Sequence, residues 1–298
     1  MLRVVGAAVV LLVLGVTGYL ESQFFYWPDR RDFETPPGIE DMSFETSDGL
    51  TIHGWFVPAR GVETSAAPTV LHVHGNAGHI AVHLQFSEFL AERGINVMLF
   101  DYRGFGRSDR PGRPMYRDDL LKDTRAAFDA LLARPDIDPG RVSVYGYSLG
   151  GVLGLKLAAE RAEVRSVVSL AAFSSWQRIA SDKVPLLGWL LIRGGADAVQ
   201  SIAELGARPV FLVHGRFDRT VPVSHARRLE AAAMDAGVPV DLHINDATHV
   251  SLFIDDPELP ERIAGFIHRT TAVGPVSGSD AAPSSTPAAD PGSQTERR

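Results

Sequence analysis

Cysteine is absent from all 298 residues. That single absence excludes disulfide frameworks, thiolate metal sites, a cysteine nucleophile and cysteine-linked lipid anchors. It leaves the compartment open, because a cysteine-free chain folds in either redox environment. An excess of positive charge is also missing. The formal net charge is −7, which argues against nucleic acid as a partner, since binding phosphates requires a concentrated positive field. Lysine is scarce, with 3 against 26 arginines, a skew that carries no functional argument. No internal repeat is visible. With 45% apolar and 22% charged residues, the composition is that of a globular protein with a substantial core.

There is one long hydrophobic run. Val4 to Leu20 holds 17 uncharged, mostly apolar residues between Arg3 and Glu21. It lies at the short limit for crossing a bilayer and is long for the apolar core of a cleaved signal. No A-x-A site follows, and Val16-Thr17-Gly18 is a poor substitute. Residues 1–24 are therefore expected to form a membrane anchor, with a cleaved signal segment or a buried helix as alternatives. Arg3 would hold the N-terminus in the cytoplasm and place the rest on the exported side, secreted or periplasmic after cleavage. Residues 25–41 are read as a linker. Past residue 270 the composition turns to Pro, Ser, Ala, Thr and Gly, and residues 271–298 are expected to be a disordered tail.

Between 42 and 270 the pattern alternates strand and helix. Leu50 to Val57 alternates at period two, as expected of a half-exposed antiparallel strand. The runs TVLHVHG, INVMLFDY, RVSVYGY, VRSVVSLAA and PVFLVHG are short and nearly unbroken, the signature of strands covered on both faces. Val82, Phe86, Phe89 and Leu90 recur at helical spacing before Gly94, and Leu120, Leu121, Ala127, Phe128 and Leu131 do so before Pro135. Repeated β-α-β order predicts an α/β fold: one domain with a mostly parallel, doubly wound sheet and helices on both faces. Ligands are then expected at the carboxyl ends of the strands. Residues 172–207 break the rhythm and are expected to form a short helical cap. Its Trp176, Leu186, Leu187, Trp189 and Leu190 either line a pocket for an apolar acyl group or pack the cap onto the domain.

Gly146-Tyr147-Ser148-Leu149-Gly150 closes a predicted strand and opens a predicted helix, the setting that G-x-S-x-G demands. Roughly 0.1 to 0.2 such motifs arise by chance in this length, so position carries the weight. A serine hydroxyl needs a base to remove its proton, and the base needs an orienting acid. Asp218 lies in the turn after PVFLVHG, and His249 follows PVDLHIN. Asp241 and Asp246 are rival acids; His268, on the terminal helix, is read as structural. The oxyanion would be met by the amide of Leu149 and by one from the turn His74 to Gly78, with Asn76 chosen and Ala77 the alternative. A metal at His72, His74 and His79 is set aside because no carboxylate lies within that run.

VLHVHGNAGH, FDYRGFGRSD, YGYSLGG, VHGRFDRTVP and ATHVSL, in that order, resemble the membrane-anchored α/β-hydrolase-domain proteins over about residues 40 to 268. The likeness implies an α/β-hydrolase fold with Ser148 as nucleophile, His249 as base and Asp218 as its acid. It also implies an esterase or thioesterase needing neither cofactor nor metal. The sequence departs from that pattern in lacking the N-terminal palmitoylation cysteines of the depalmitoylating branch, and in ATHVSL, where G-H is commoner. The expected function is a serine hydrolase of ester or thioester bonds acting on a small-molecule or lipid-like substrate. A peptidase of the prolyl-oligopeptidase kind and an inactive membrane-tethered scaffold are the competing readings.

Overall fold

A computed structural model describes residues 18–272. Most of the apolar run and the tail from residue 273 lie outside the described residues, so the anchor and tail expectations meet no structure there. The described residues begin with a helix, α1 (residues 18–25), and a two-residue strand, β1 (Trp27–Pro28). Then come β2 (Glu40–Glu45), β3 (Thr51–Val57), β4 (Thr69–Val73), the short β5 (Ala77–Gly78), α2 (Ile80–His83), α3 (Glu88–Glu92) and β6 (Asn96–Phe100). The central stretch holds α4 (Arg117–Leu132), β7 (Val142–Tyr147), α5 (Leu149–Glu160) and β8 (Val167–Leu170). After it come α6 (Trp176–Lys183), α7 (Gly188–Leu191) and α8 (Ala198–Ala203), then β9 (Val210–Gly215), α9 (Ser224–Asp235), β10 (Val240–Asn245) and α10 (Leu259–Thr270).

Eight strands form one sheet in the order β10-β9-β8-β7-β4-β6-β3-β2. All neighbours run parallel except at one edge, where β3 is antiparallel to both β2 and β6. The α/β-hydrolase fold expected from the sequence is the one observed. Strands β4, β6, β7, β8 and β9 are buried along their whole length, which explains their unbroken apolar sequences. One face of the sheet is covered by α4, α5 and α9, through Leu120, Phe128, Leu153 and Leu229. The other is covered by α3 and α10, through Leu90, Leu259, Ile263 and Ile267.

Three expectations change. Strand β3 is antiparallel as read but not half-exposed: everything after Thr51 is buried. Its one buried polar side chain, His53, is satisfied by Asp41 through Nε2 at 2.5 Å, which is how a polar residue fits inside. The helix read through Val82 and Leu90 is broken into α2, a 3-10 turn at Leu84–Phe86, and α3, with Val82 exposed.

The third change is the largest. Residues 18–28, assigned above to the anchor and linker, are built into the domain. Glu21 is fully buried and its Oε2 accepts from Arg117 Nη2 at 2.5 Å, while its Oε1 accepts from the Arg117 amide at 2.9 Å and the Tyr26 hydroxyl at 2.8 Å. Arg117 in turn donates to the carbonyls of Arg193 and Gly195, both at 2.7 Å, and stacks 4.1 Å from the Trp176 ring. One guanidinium thus fastens the N-terminal segment, α4 and the cap together. Among the described residues no helix is long and apolar enough to cross a membrane.

Removing one member of a buried pair strands the other charge away from water, which typically costs about 3–5 kcal/mol. Glu21→Ala should lower the urea unfolding free energy by that amount. A loss under about 1 kcal/mol, the range of exposed pairs, would mean that the segment is not docked as described.

Candidate active site

The site is built around a sharp turn from β7 into α5. Ser148 holds φ 54° and ψ −115°, a conformation that costs a non-glycine residue about 1–3 kcal/mol and persists only when its surroundings enforce it. Here the neighbouring glycines permit the enforcement. A Cβ on Gly150 would lie 1.8 Å from the Val73 carbonyl oxygen, and one on Gly146 would lie 2.4 Å from that of Gly150. With those side chains absent, α5 seats against β4 and lifts the serine above the sheet. The Ser148 amide donates to Leu170 O at 2.7 Å and locks the turn to β8.

Loops after β9 and β10 bring in the other two residues. His249 Nε2 lies 3.1 Å from Ser148 Oγ, and its Nδ1 lies 2.7 Å from Asp218 Oδ2. A carboxylate can only accept, so Nδ1 carries the proton and Nε2 is left with a lone pair facing the serine hydroxyl. Asp218 is fixed by the amides of Thr220 and Val221, each donating to Oδ1 at 2.8 Å. Burial alone would raise its pKa. The imidazoles of His214 and His249 beside it and the Val221 amide outweigh that effect and hold the carboxyl well below the usual range. It therefore stays ionised throughout the neutral range.

The structure thus brings Ser148, Asp218 and His249 into one hydrogen-bonded chain, and it places the rivals elsewhere. Asp246 is exposed and paired with Arg216 at 2.7 Å, Asp241 is exposed on β10, and His268 donates to Arg93 O at 2.8 Å. Two contributors carried no signal in the sequence. The Tyr147 hydroxyl donates to the carbonyl of His249, steadying that loop, and His214 lies 3.4 Å from Asp218 Oδ2.

Asn76 and Leu149 line the same cavity as Ser148. Leu149 is the first residue of α5, where the amide has no intrahelical partner. The turn bearing Asn76 is held by its carbonyls. His74 O accepts from the Tyr102 hydroxyl at 2.9 Å, Gly75 O from His74 Nδ1 at 2.7 Å, and Ala77 O from His83 Nε2 at 2.8 Å. Asn76 O and Gly78 O accept from the amides of Trp27 and Asp29 at 2.8 and 3.0 Å. Five successive carbonyls are so engaged, two of them by the N-terminal segment. Ala77 does not reach the cavity wall. His72 and His74 are buried, and burial together with the neighbouring His83 pushes both well below the usual histidine range. Among the described residues no group of three or more His, Asp or Glu is arranged to hold a metal ion.

The cavity over Ser148 has a volume of about 310 Å³. Its walls are Phe25, Phe173, Ile179, Val184, Leu191 and Ile192, with Phe24 and Trp27 at the N-terminal side. None of the five cap residues proposed from the sequence lines it. Trp176 is fully buried behind the wall, with ring centroids 5.2 Å from Phe25 and 5.0 Å from Phe173. Leu186, Leu187, Trp189 and Leu190 face outward and are 55–89% exposed, so they neither line the pocket nor pack the cap down.

A strained serine between a parallel sheet and a helix, with an acid and a histidine delivered from the next strand ends, places the chain in the α/β-hydrolase superfamily. Residues 64–194 match the family model described as serine aminopeptidase, S33. The chain belongs with the uncharacterized protein YfhR of Salmonella typhi, to which it is 35% identical over 269 residues, covering 84% of this chain and 90% of that one. It is 32% identical over 210 residues to the alpha/beta hydrolase domain-containing protein WAV2 of Arabidopsis thaliana, covering 65% and 66% of the two chains. The esterase Pf2001 of Pyrococcus furiosus shares the fold with a TM-score of 0.68 at 22% identity, covering 83% of this chain and 98% of that one.

If the chain of three works as a relay, Asp218→Asn should cut ester turnover by on the order of 10⁴ while leaving the fold intact, because an amide favours the wrong imidazole tautomer. Steady-state kinetics with circular dichroism checks this. Turnover within tenfold of wild type would remove Asp218 from the relay.

Proposed function

We propose that the protein is a serine hydrolase that cleaves carboxylic esters or thioesters of apolar acyl groups through an acyl-enzyme intermediate. The observation that carries this reading is the hydrogen-bonded chain Ser148–His249–Asp218 opening into an apolar cavity. His249 Nε2 takes the proton of Ser148 as Oγ attacks the carbonyl carbon. The amides of Leu149 and Asn76 meet the oxyanion, and the imidazolium returns its proton to the leaving oxygen or sulfur. Water then repeats the sequence on the acyl-enzyme, so the chemistry is completed by side chains and backbone amides.

The family-model description raises a second reading, an aminopeptidase. Such an enzyme must hold a substrate ammonium group close to the scissile bond, which calls for carboxylates. Among the described residues lining the cavity the only charged one is Lys183, which repels an ammonium. That favours esters over peptides. The apolar run at residues 4–20 and the outward-facing Leu186, Leu187, Trp189 and Leu190 support a location at a membrane, with the domain on the exported side.

A fluorophosphonate should label the wild type and not Ser148→Ala, whose turnover should fall by on the order of 10⁶. Label persisting in the variant would refute the assignment. Along a series of straight-chain acyl esters, kcat/KM should rise about fourfold per added methylene until the cavity fills, and then fall, since burying a methylene is worth about 0.8 kcal/mol. Indifference to acyl length would contradict an acyl role for the cavity.

A further inference from the structure

Two unlike cavities meet at the proposed triad. The apolar one contains Ser148 and not His249; beside it lies an open groove of about 720 Å³ that contains His249 and not Ser148. Thr220 lines both and marks the seam. The groove is walled by Arg216, Phe217, Asp218, Arg219, Thr248 and Val250 along with that threonine. Lys183, at the end of α6 and on the rim of the apolar cavity, reaches across with Nζ 3.2 Å from the carbonyl oxygen of Arg219.

The charges around this seam do not cancel. Arg216 is matched by Asp246 at 2.7 Å. Asp218 is mostly buried in the groove wall and its oxygens are taken by His249 and the amides of Thr220 and Val221. Among the described residues, Lys183 and Arg219 make no ion pair, and Arg219 is exposed. The nearest cap acid in sequence, Asp182, is turned onto buried His225 at 2.8 Å rather than onto Lys183. On a chain with net charge −7, two cations without an acid partner, Lys183 and Arg219, thus stand together at this seam.

The chemistry assigns the two cavities to the two halves of a substrate, and this step rests on the hydrolase reading above. The acyl group stays bonded to Ser148 Oγ, so it occupies the cavity that holds Ser148. As the tetrahedral intermediate collapses, the bond from the carbonyl carbon to the leaving oxygen or sulfur breaks and the carbonyl reforms. The leaving atom takes the proton from His249 Nε2, so the leaving group departs on the His249 side. We infer that the natural substrates pair an apolar acyl group with an anionic, phosphate-bearing alcohol or thiol, whose charge is received at the seam by Lys183 and Arg219. Neither residue is catalytic; they set which leaving group is preferred.

The test holds the acyl group constant and varies only the leaving group, using the full chain. Octanoyl esters of glycerol 3-phosphate, glycerol and choline are compared, with octanoyl thioesters of 4′-phosphopantetheine and pantetheine as the thiol pair. The phosphorylated member of each pair should show a kcat/KM about five- to tenfold above its neutral counterpart, as expected of two solvent-exposed charge contacts, and the choline ester should be slowest. The preference should shrink in about 0.5 M salt, where such contacts are screened. The double variant Lys183→Gln, Arg219→Gln should lose several-fold more on the phosphorylated ester than on the neutral one. An ester-only or thioester-only preference identifies which of the two leaving atoms is used, within the same inference. Equal rates for all charges, a faster choline ester, or a preference that survives in the double variant would overturn it. If wild type takes up no fluorophosphonate at Ser148, the hydrolase reading itself falls and this inference with it. A normal adduct combined with indifference to charge overturns this inference alone.

Discussion

The whole site depends on how closely α5 can approach β4. The helix begins one residue after Ser148, and its second residue, Gly150, sits where any side chain would collide with the Val73 carbonyl. That contact lets the turn at Ser148 remain at positive φ, and the turn in turn aims Oγ away from the sheet. A looser seating would let the serine relax toward an ordinary backbone conformation and drop its hydroxyl into the core. The strain is small beside the burial of Val144, Val152 and Leu153 around it, so the fold can sustain it. His249 and Asp218 are positioned by the same sheet, through β9 and β10, so the relay distances inherit the register of the strands.

The second support is the N-terminal segment, which acts at a distance from its own sequence neighbours. Glu21 is held at Arg117, 96 residues away, and this places Phe24, Phe25 and Trp27 as one side of the apolar cavity. The same segment donates the amides of Trp27 and Asp29 to the turn that carries Asn76. An engaged carbonyl cannot rotate, and because the peptide unit is planar the amide of the following residue is fixed with it. Gly75 O on His74 Nδ1 thus fixes the Asn76 amide, and the Trp27 bond to Asn76 O fixes the next peptide of the turn. The cavity wall and the turn bearing Asn76 are therefore both tied to one buried ion pair. A change at Arg117 should be felt at both, although neither touches it.

What could be read from the sequence is what local spacing encodes. The strands buried on both faces show as unbroken apolar runs. The elbow shows as glycines two before and two after a serine, and Asp218 and His249 show because each follows a strand. What could not be read depends on long-range pairing. Nothing near Glu21 reveals that its partner is Arg117, so an apolar run followed by an acid reads as an anchor and linker, although its last residues are part of the domain. Tyr147 occupies a position in the motif that any residue can fill, and only the folded chain shows its hydroxyl on the His249 carbonyl. In the cap, apolar composition identified a helical insertion but not which way each side chain points. Ile179, Val184 and Ile192 turned inward, and Leu186 and Trp189 turned out.

The division between an enclosed apolar cavity and an open groove of mixed character bears on the second half of the proposed reaction as well as on substrate choice. Deacylation needs a water molecule at His249, yet water throughout the site would weaken the amides that meet the oxyanion. Under the proposed mechanism, a cavity walled by Phe25, Phe173, Ile179 and Leu191 would remain filled by the acyl chain after the first step. The groove, once the leaving group has gone, is open to solvent on the His249 side. Water is then admitted where a base can activate it and kept from the side where the acyl group lies. On this view the cap needs no large movement between the two steps, since the leaving group and the incoming water use the same route. That accounts for how a short cap, fastened to α4 and the N-terminal segment through Arg117, can serve a site that must be both dry and wet.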